Sequence, residues 1–278
     1  MRALRPALAA FALALAWTGA VYSSYFRGAN TFEFGEYAEI GRNILDGRGF
    51  TTRVLYPSTV AGLAERGLAG RERAPVDHRF PLPAYLSAAG QAVFGRTDFG
   101  SVAGTLALFA AWVALVFAAA GRWLGRREAV LGAALFAAAP AGVKYFALFN
   151  LPDVPFGALL FALHWALAEL RPDASPRRCA ALGALAGALY LCRFNAWVWL
   201  PLYAAFLYRT LERPRRAAGI GAFLAAFAAG AAPYALHKLS WSGTLGTPDV
   251  AWNLAHGTLQ SGQPWLSFKT FETAAVLR

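Results

Sequence analysis

Charge is scarce in this chain, and so is cysteine. Only 15% of the 278 residues are charged, where an ordinary soluble domain carries about 25%. That shortage excludes a disordered chain and a typical soluble enzyme. There are two cysteines, Cys179 and Cys192. Placed in one helix they stand about 20 Å apart at a rise of about 1.5 Å per residue, so they form no bridge. The four histidines, His78, His164, His237 and His256, are scattered along the chain. No cysteine or histidine has the spacing of a zinc site.

What fills the chain instead is apolar. Hydrophobic residues make up 58% of it, and the formal net charge is +11. Such a charge fits nucleic acid, an anionic membrane surface or the positive-inside bias of a membrane protein, and its distribution decides. The first apolar run covers residues 6–26, behind Arg2 and Arg5. It exceeds the roughly 7–15 apolar residues of a signal peptide. It is long enough to cross about 30 Å of hydrocarbon. Further runs cover residues 101–120, 129–148, 154–170, 179–191, 196–208 and 217–236, with short basic segments at 121–128, 171–178 and 209–216.

Placing the N-terminus and those basic segments in the cytoplasm satisfies the alternation along the whole chain. The runs 179–191 and 196–208 are short, about 20 Å each as helix. They read as a hairpin turned near Arg193, Phe194 and Asn195. The alternative, one helix over 179–208, would move the 209–216 cluster outside, against the charge rule. The expected fold is all-α: a polytopic membrane protein of about seven transmembrane helices. It is expected in the bacterial cytoplasmic (inner) membrane, N-terminus inside and C-terminus outside. The cytoplasmic segments, with Glu169 at the edge of one, hold 12 basic and four acidic residues. The charge thus records orientation, and the nucleic-acid reading falls away.

The chain reads as a single membrane domain, 1–278, with one substantial outer (periplasmic) loop at 27–100. That loop holds eight of the 15 carboxylates. Residues 33–46 predict an amphipathic surface helix with Tyr37, Ile40 and Ile44 on one face. Asn30 or Thr31 suits its start and Gly47 its end. Residues 83–94 predict a second interfacial helix, too short to span. Residues 50–73 read as a mobile loop. The tail 239–278 carries Trp241, Trp252 and Trp265, which suit an outer interface.

Three features fall on the outer side: Glu33 with Glu36 and Tyr37, Arg79 in His78-Arg79-Phe80-Pro81, and Asp153 in Asn150-Leu151-Pro152-Asp153. Each has a structural alternative. Glu33 in a first helical turn complements the macrodipole. Asp153 before Val154-Pro155 suits an N-cap. Arg79 alone suits a snorkelling side chain. Lys144 interrupts a membrane run, which marks a functional candidate unless it snorkels to the outer face. Arg193 sits at the hairpin tip with either role open. His164 reads as a hydrogen-bonded packing residue. Together, carboxylates and cations at one membrane face suit a lipid substrate with its phosphate at headgroup depth. Arginine can grip the phosphate bidentately, and a carboxylate can take a proton from an attacking hydroxyl.

The stretch 31–50, TFEFGEYAEIGRNILDGRGF, resembles the first outer loop of the GT-C superfamily glycosyltransferases. The resemblance is to the protein O-mannosyltransferase and lipid A aminoarabinose transferase families. It rests on Glu33, Tyr37, Ala38, Ile40, Arg42, Leu45 and Gly47. Arg79-Phe80-Pro81 and the later Gly90-Gln91-Ala92-Val93-Phe94-Gly95 resemble the same proteins' next segment, and Asp153-Val154-Pro155-Phe156 resembles their second outer Asp turn. Order and hydropathy match over about residues 6–260.

The resemblance implies inverting transfer of a sugar from a polyprenyl-phosphate-linked donor to a lipid, protein or glycan acceptor outside the cytoplasm. By it Glu33 takes the catalytic acidic position, Arg79 binds the donor phosphate, and Arg193 approaches it. Asp153, Tyr37 and Lys144 line the cavity. A divalent cation (Mg or Mn) stays open, with Glu33 and Asp153 as its ligands if there is one. The family usually has Asp followed by a second acid where this chain has Glu33-Phe34, and Glu36 stands in one turn later. Family members run longer, so the resemblance implies an N-terminal portion of such a transferase. Two rivals remain: a transporter or flippase of lipid-linked precursors, and a non-catalytic membrane partner. A transporter would place polar groups and broken helices at mid-membrane, often in inverted repeats, and no repeat is evident.

Overall fold

The computed structural model describes residues 4–28, 32–54, 63–65, 67–68, 70–76, 78–139, 148 and 150–242. Lys144 and residues 243–278 of the tail lie outside them. The elements in order are α1 (Leu4–Tyr25), α2 (Phe32–Leu45), β1 (Thr51–Thr52), β2 (Ala74–Pro75), α3 (Pro81–Phe94), α4 (Asp98–Trp123), α5 (Arg126–Ala138), α6 (Asp153–Ala168), α7 (Pro176–Tyr190), a 3-10 turn (Phe194–Trp199), α8 (Leu200–Thr210) and α9 (Arg213–Ser242). Among the described residues the fold is all-α apart from the two-residue antiparallel pair β1–β2.

Each of the seven apolar runs forms helix. Among the described residues, three helices are long and apolar enough to cross a membrane: Arg5–Tyr25, Asp98–Trp123 and Arg213–Trp241. The remaining runs make shorter helices. Within the run 129–148 the described helix ends at Ala138, where Ala139, standing before Pro140, takes an extended ψ of 115°. Proline's ring disfavours helical backbone in the residue before it. The chain does break near Arg193: α7 ends at Tyr190 and Arg193 is extended (φ −153°, ψ 140°). A single helix over 179–208 is therefore excluded. Cys179 and Cys192 are both buried and free. His164 packs its ring against Trp199 and Tyr203, with the Tyr203 hydroxyl 3.5 Å from Nε2.

The three basic segments gather at one end of the bundle. Glu212 N–H donates to the Pro172 carbonyl at 3.1 Å, and Arg215 donates to the Asp173 carbonyl. Trp123 Nε1 donates to Glu169 at 3.2 Å. The elements of the segment 27–100, α2 and α3, lie at the other end, against the start of α4.

Close helix crossings rest on glycine. A Cβ on Gly90 of α3 would stand 2.2 Å from the Gly100 carbonyl oxygen of α4, and one on Gly183 of α7 would stand 2.0 Å from that of Phe223 in α9. Backbones approach this closely only where side chains are absent. Gly90→Ala is expected to push α3 off α4 at a cost of about 1–3 kcal/mol, seen as a lowered melting temperature in detergent.

The helix expected at the membrane surface is not free there. α2 buries Phe34, Tyr37, Ala38 and Ile40. Gln91 of α3 donates from Nε2 to the Ala38 carbonyl at 3.0 Å and to Ser87 Oγ at 3.1 Å. The face of α2 assigned to lipid is spent on protein. α3 keeps the interfacial character, with Tyr85, Val93 and Phe94 exposed.

Candidate active site

The site is assembled where α2 meets the segment 76–81. Glu33, Glu36 and Tyr37 fall at i, i+3 and i+4 and so share one helix face. The β1–β2 pair folds the outer loop back, and Val76 N–H donates to the Phe50 carbonyl at 3.1 Å. The following segment is then clamped by other helices. Tyr234 of α9 donates its hydroxyl to the Arg79 carbonyl at 2.7 Å, and His237 Nε2 lies 3.0 Å from the Val76 carbonyl. Phe80 packs on Tyr190 and Tyr234. Pro81 then opens α3 at the first helical position, where its missing N–H costs nothing.

The result is a compact ion network. The Glu36 side chain is fully buried. Its Oε1 lies 2.5 Å from His78 Nε2, and its Oε2 accepts from Arg79 Nε at 2.7 Å. Arg79 also donates from Nη1 to Glu33 Oε1, and its guanidinium carbon lies 5.8 Å from the centre of the Tyr37 ring, within cation–π range. Glu33 differs from Glu36 in access: its side chain is 40% exposed.

The electrostatics follow. Burial pushes the Glu36 carboxyl up, but the His78 hydrogen bond and the Arg79 charge outweigh it and hold the group below the ordinary value. Burial opposes the charge on Arg79, yet Glu36 and Glu33 raise its pKa and keep it cationic. The Tyr37 phenol is pushed up by burial. The charges of Glu33 and Glu36 act the same way, while those of Arg79 and Arg193 oppose them.

A second pair stands beside the first. Arg193 donates from Nη2 to Asp153 Oδ1 at 2.6 Å. Asp153 is the first residue of α6, but Pro152 holds the cap position and no side chain caps the helix. The N-cap reading of Asp153 is thus replaced by an ion pair. Because the fields of Arg79 and Arg193 both reach the Tyr37 phenol, the two pairs border one region.

The structure brings Glu33, Glu36, Tyr37 and Arg79 into one network, with Asp153 and Arg193 as its neighbours. Lys144 lies outside the described residues. Among the described residues no group of three His, Cys, Asp or Glu is placed to hold a metal, and Glu33 and Asp153 are each paired with an arginine.

Sequence reasoning gave no role to His78, Tyr234, His237 or Lys238. His78 carried one signal, its place beside Arg79. Tyr234 and His237 share one face of the end of α9 with the buried Lys238, and the first two lie more than 150 residues from their partners in the loop. No local pattern reveals that pairing.

Comparison with known proteins agrees with this fold. The dolichyl-phosphate-mannose-protein mannosyltransferase family model matches residues 76–236, more than half of the chain. No curated protein matches the sequence. Among solved structures, the chain is similar to ArnT from Cupriavidus metallidurans bound to undecaprenyl phosphate, at 17% identity and a TM-score of 0.60. That match covers 92% of this chain and 44% of ArnT, so the chain spans less than half the length of that relative. Family match and fold together place it: the chain belongs to the dolichyl-phosphate-mannose-protein mannosyltransferase family, within the GT-C superfamily of membrane glycosyltransferases.

Proposed function

We propose that this site transfers a sugar from a polyprenyl-phosphate-linked donor to an acceptor at the outer face of a bacterial cytoplasmic membrane. One observation carries the reading: a half-exposed carboxylate, Glu33, sits on a mostly buried arginine, Arg79. The first can take a proton and the second can hold a phosphate. The family match supports the reaction class, and the fold match to a protein bound to undecaprenyl phosphate supports the donor class.

In the step, the acceptor hydroxyl oxygen attacks the anomeric carbon. The bond from that carbon to the phosphate oxygen breaks, and its electron pair leaves on the phosphate. The hydroxyl proton passes to Glu33. Arg79, with Arg193 beside it, stabilises the negative phosphate as it leaves. Glu36 stands apart from the chemistry. Both of its oxygens are engaged and its side chain is buried, so it holds His78 and Arg79 in place. Orientation follows from charge: the basic segments gather at the end away from the site, which the positive-inside rule assigns to the cytoplasm.

The test is turnover in proteoliposomes loaded with polyprenyl-phosphate sugar, comparing the unaltered chain with Glu33→Gln. Sugar release that is equal in both overturns the assignment of Glu33. A cytoplasmic location for a tag at residue 60 overturns the orientation.

A further inference from the structure

An arginine grips phosphate best through two parallel N–H groups on one edge of its guanidinium. Arg79 has two such edges, Nε with Nη2 and Nη1 with Nη2. Each already includes a nitrogen bound to a carboxylate, Nε to Glu36 and Nη1 to Glu33. Nη2 has no partner among the described residues. A phosphate held on either edge therefore competes with a carboxylate.

The two carboxylates are unequal competitors. Glu36 is fully buried and its other oxygen is engaged by His78. Displacing it would strand a charge away from water. Glu33 is 40% exposed and reaches Arg79 through one oxygen. Water can solvate it as it leaves, so its contact to Arg79 is given up at less cost than that of the buried Glu36.

Resting on the donor reading above, we propose that Glu33 and the donor phosphate compete for Nη1 of Arg79, so that phosphate binding releases Glu33 as a free carboxylate beside the reacting carbon. The exchange is non-covalent: one N–H···O bond to carboxylate is replaced by one to phosphate, and no proton moves. Repulsion between the phosphate and Glu33 drives the carboxylate off. The freed carboxylate is then open to the acceptor hydroxyl, so donor binding precedes productive acceptor binding.

The test titrates undecaprenyl phosphate into the chain in nanodiscs. Glu33→Gln is expected to bind roughly three- to tenfold tighter than the unaltered chain. Glu33→Ala is the second variant and moves the same way. Arg79→Gln is expected to lose at least about tenfold in affinity. In the unaltered chain, carbodiimide labelling of Glu33, read by mass spectrometry, rises when undecaprenyl phosphate is added. If neither Glu33 variant tightens binding and labelling does not rise, while Arg79→Gln still binds poorly, the competition is overturned and the donor reading stands. If Arg79→Gln binds like the unaltered chain, the donor reading fails and the competition with it.

Discussion

Glu33→Gln is expected to lower sugar-transfer turnover by about 10²–10⁴-fold, the usual range for loss of a general base. The side-chain volume is nearly unchanged, and an amide oxygen still accepts from Arg79. The fold should barely notice, because Glu33 is 40% exposed and Arg79 keeps the buried Glu36 as its counter-ion. The melting temperature in detergent is expected to stay within a few degrees of the unaltered chain. The loss therefore falls on kcat. Donor affinity moves the other way, since a neutral side chain competes less for Arg79. Falling turnover with rising donor affinity separates proton acceptance from phosphate binding. A variant that loses both would instead show that Glu33 helps to hold the phosphate.

The elements that report on one stretch of sequence were legible before the fold was known. Tyr37, Ile40 and Ile44 announce α2 by their spacing, and α2 runs Phe32–Leu45. The charge alternation that splits 179–208 into a hairpin agrees with the break at Arg193. What a single stretch cannot encode is which faces meet. Nothing in residues 32–45 says that α3 lies across them, because that contact is made by Gln91, 53 residues on from Ala38. Hence α2 reads as a surface helix and is in fact packed on both sides. The site shows the same limit. Glu33 and Glu36 look like equivalent acids one turn apart. Only the approach of His78 and Arg79, 42 and 43 residues beyond Glu36, makes one an anchor and leaves the other reachable. Gly90 and Gly95 read as part of a motif shared with glycosyltransferases. Gly90 serves packing, since a Cβ there would meet the Gly100 carbonyl oxygen at 2.2 Å, whereas Gly95 has open space where a Cβ would stand and ends α3 at a φ of 83° that favours glycine.

Arg79→Met is expected to cost far more stability than any change at Glu33. The substitution removes the cation shared by both carboxylates. Glu33 turns to water, but Glu36 has no such exit, because its side chain is fully buried. An unpaired buried charge of this kind costs about 3–5 kcal/mol, moderated here by the remaining bond from His78. The pH dependence identifies the cause. In the unaltered chain the Glu36 carboxyl is held below its ordinary value of 4.5 by the His78 hydrogen bond and the Arg79 charge, against burial. A depressed carboxyl contributes stability above its unfolded value and loses it as pH falls through the folded one. The unaltered chain should therefore melt lower as pH drops below about 4.5. In Arg79→Met the His78 bond remains but the Arg79 charge and hydrogen bond are gone, so burial raises Glu36 relative to the unaltered chain. Its penalty then eases as pH falls and the carboxyl takes a proton, so the gap between the two melting curves narrows toward acid. Adding Glu36→Gln to Arg79→Met removes the charge outright and is expected to restore part of the loss at neutral pH. A gap that stays constant from about pH 8 to pH 4 would place the damage in lost packing over Tyr37 rather than in the stranded charge.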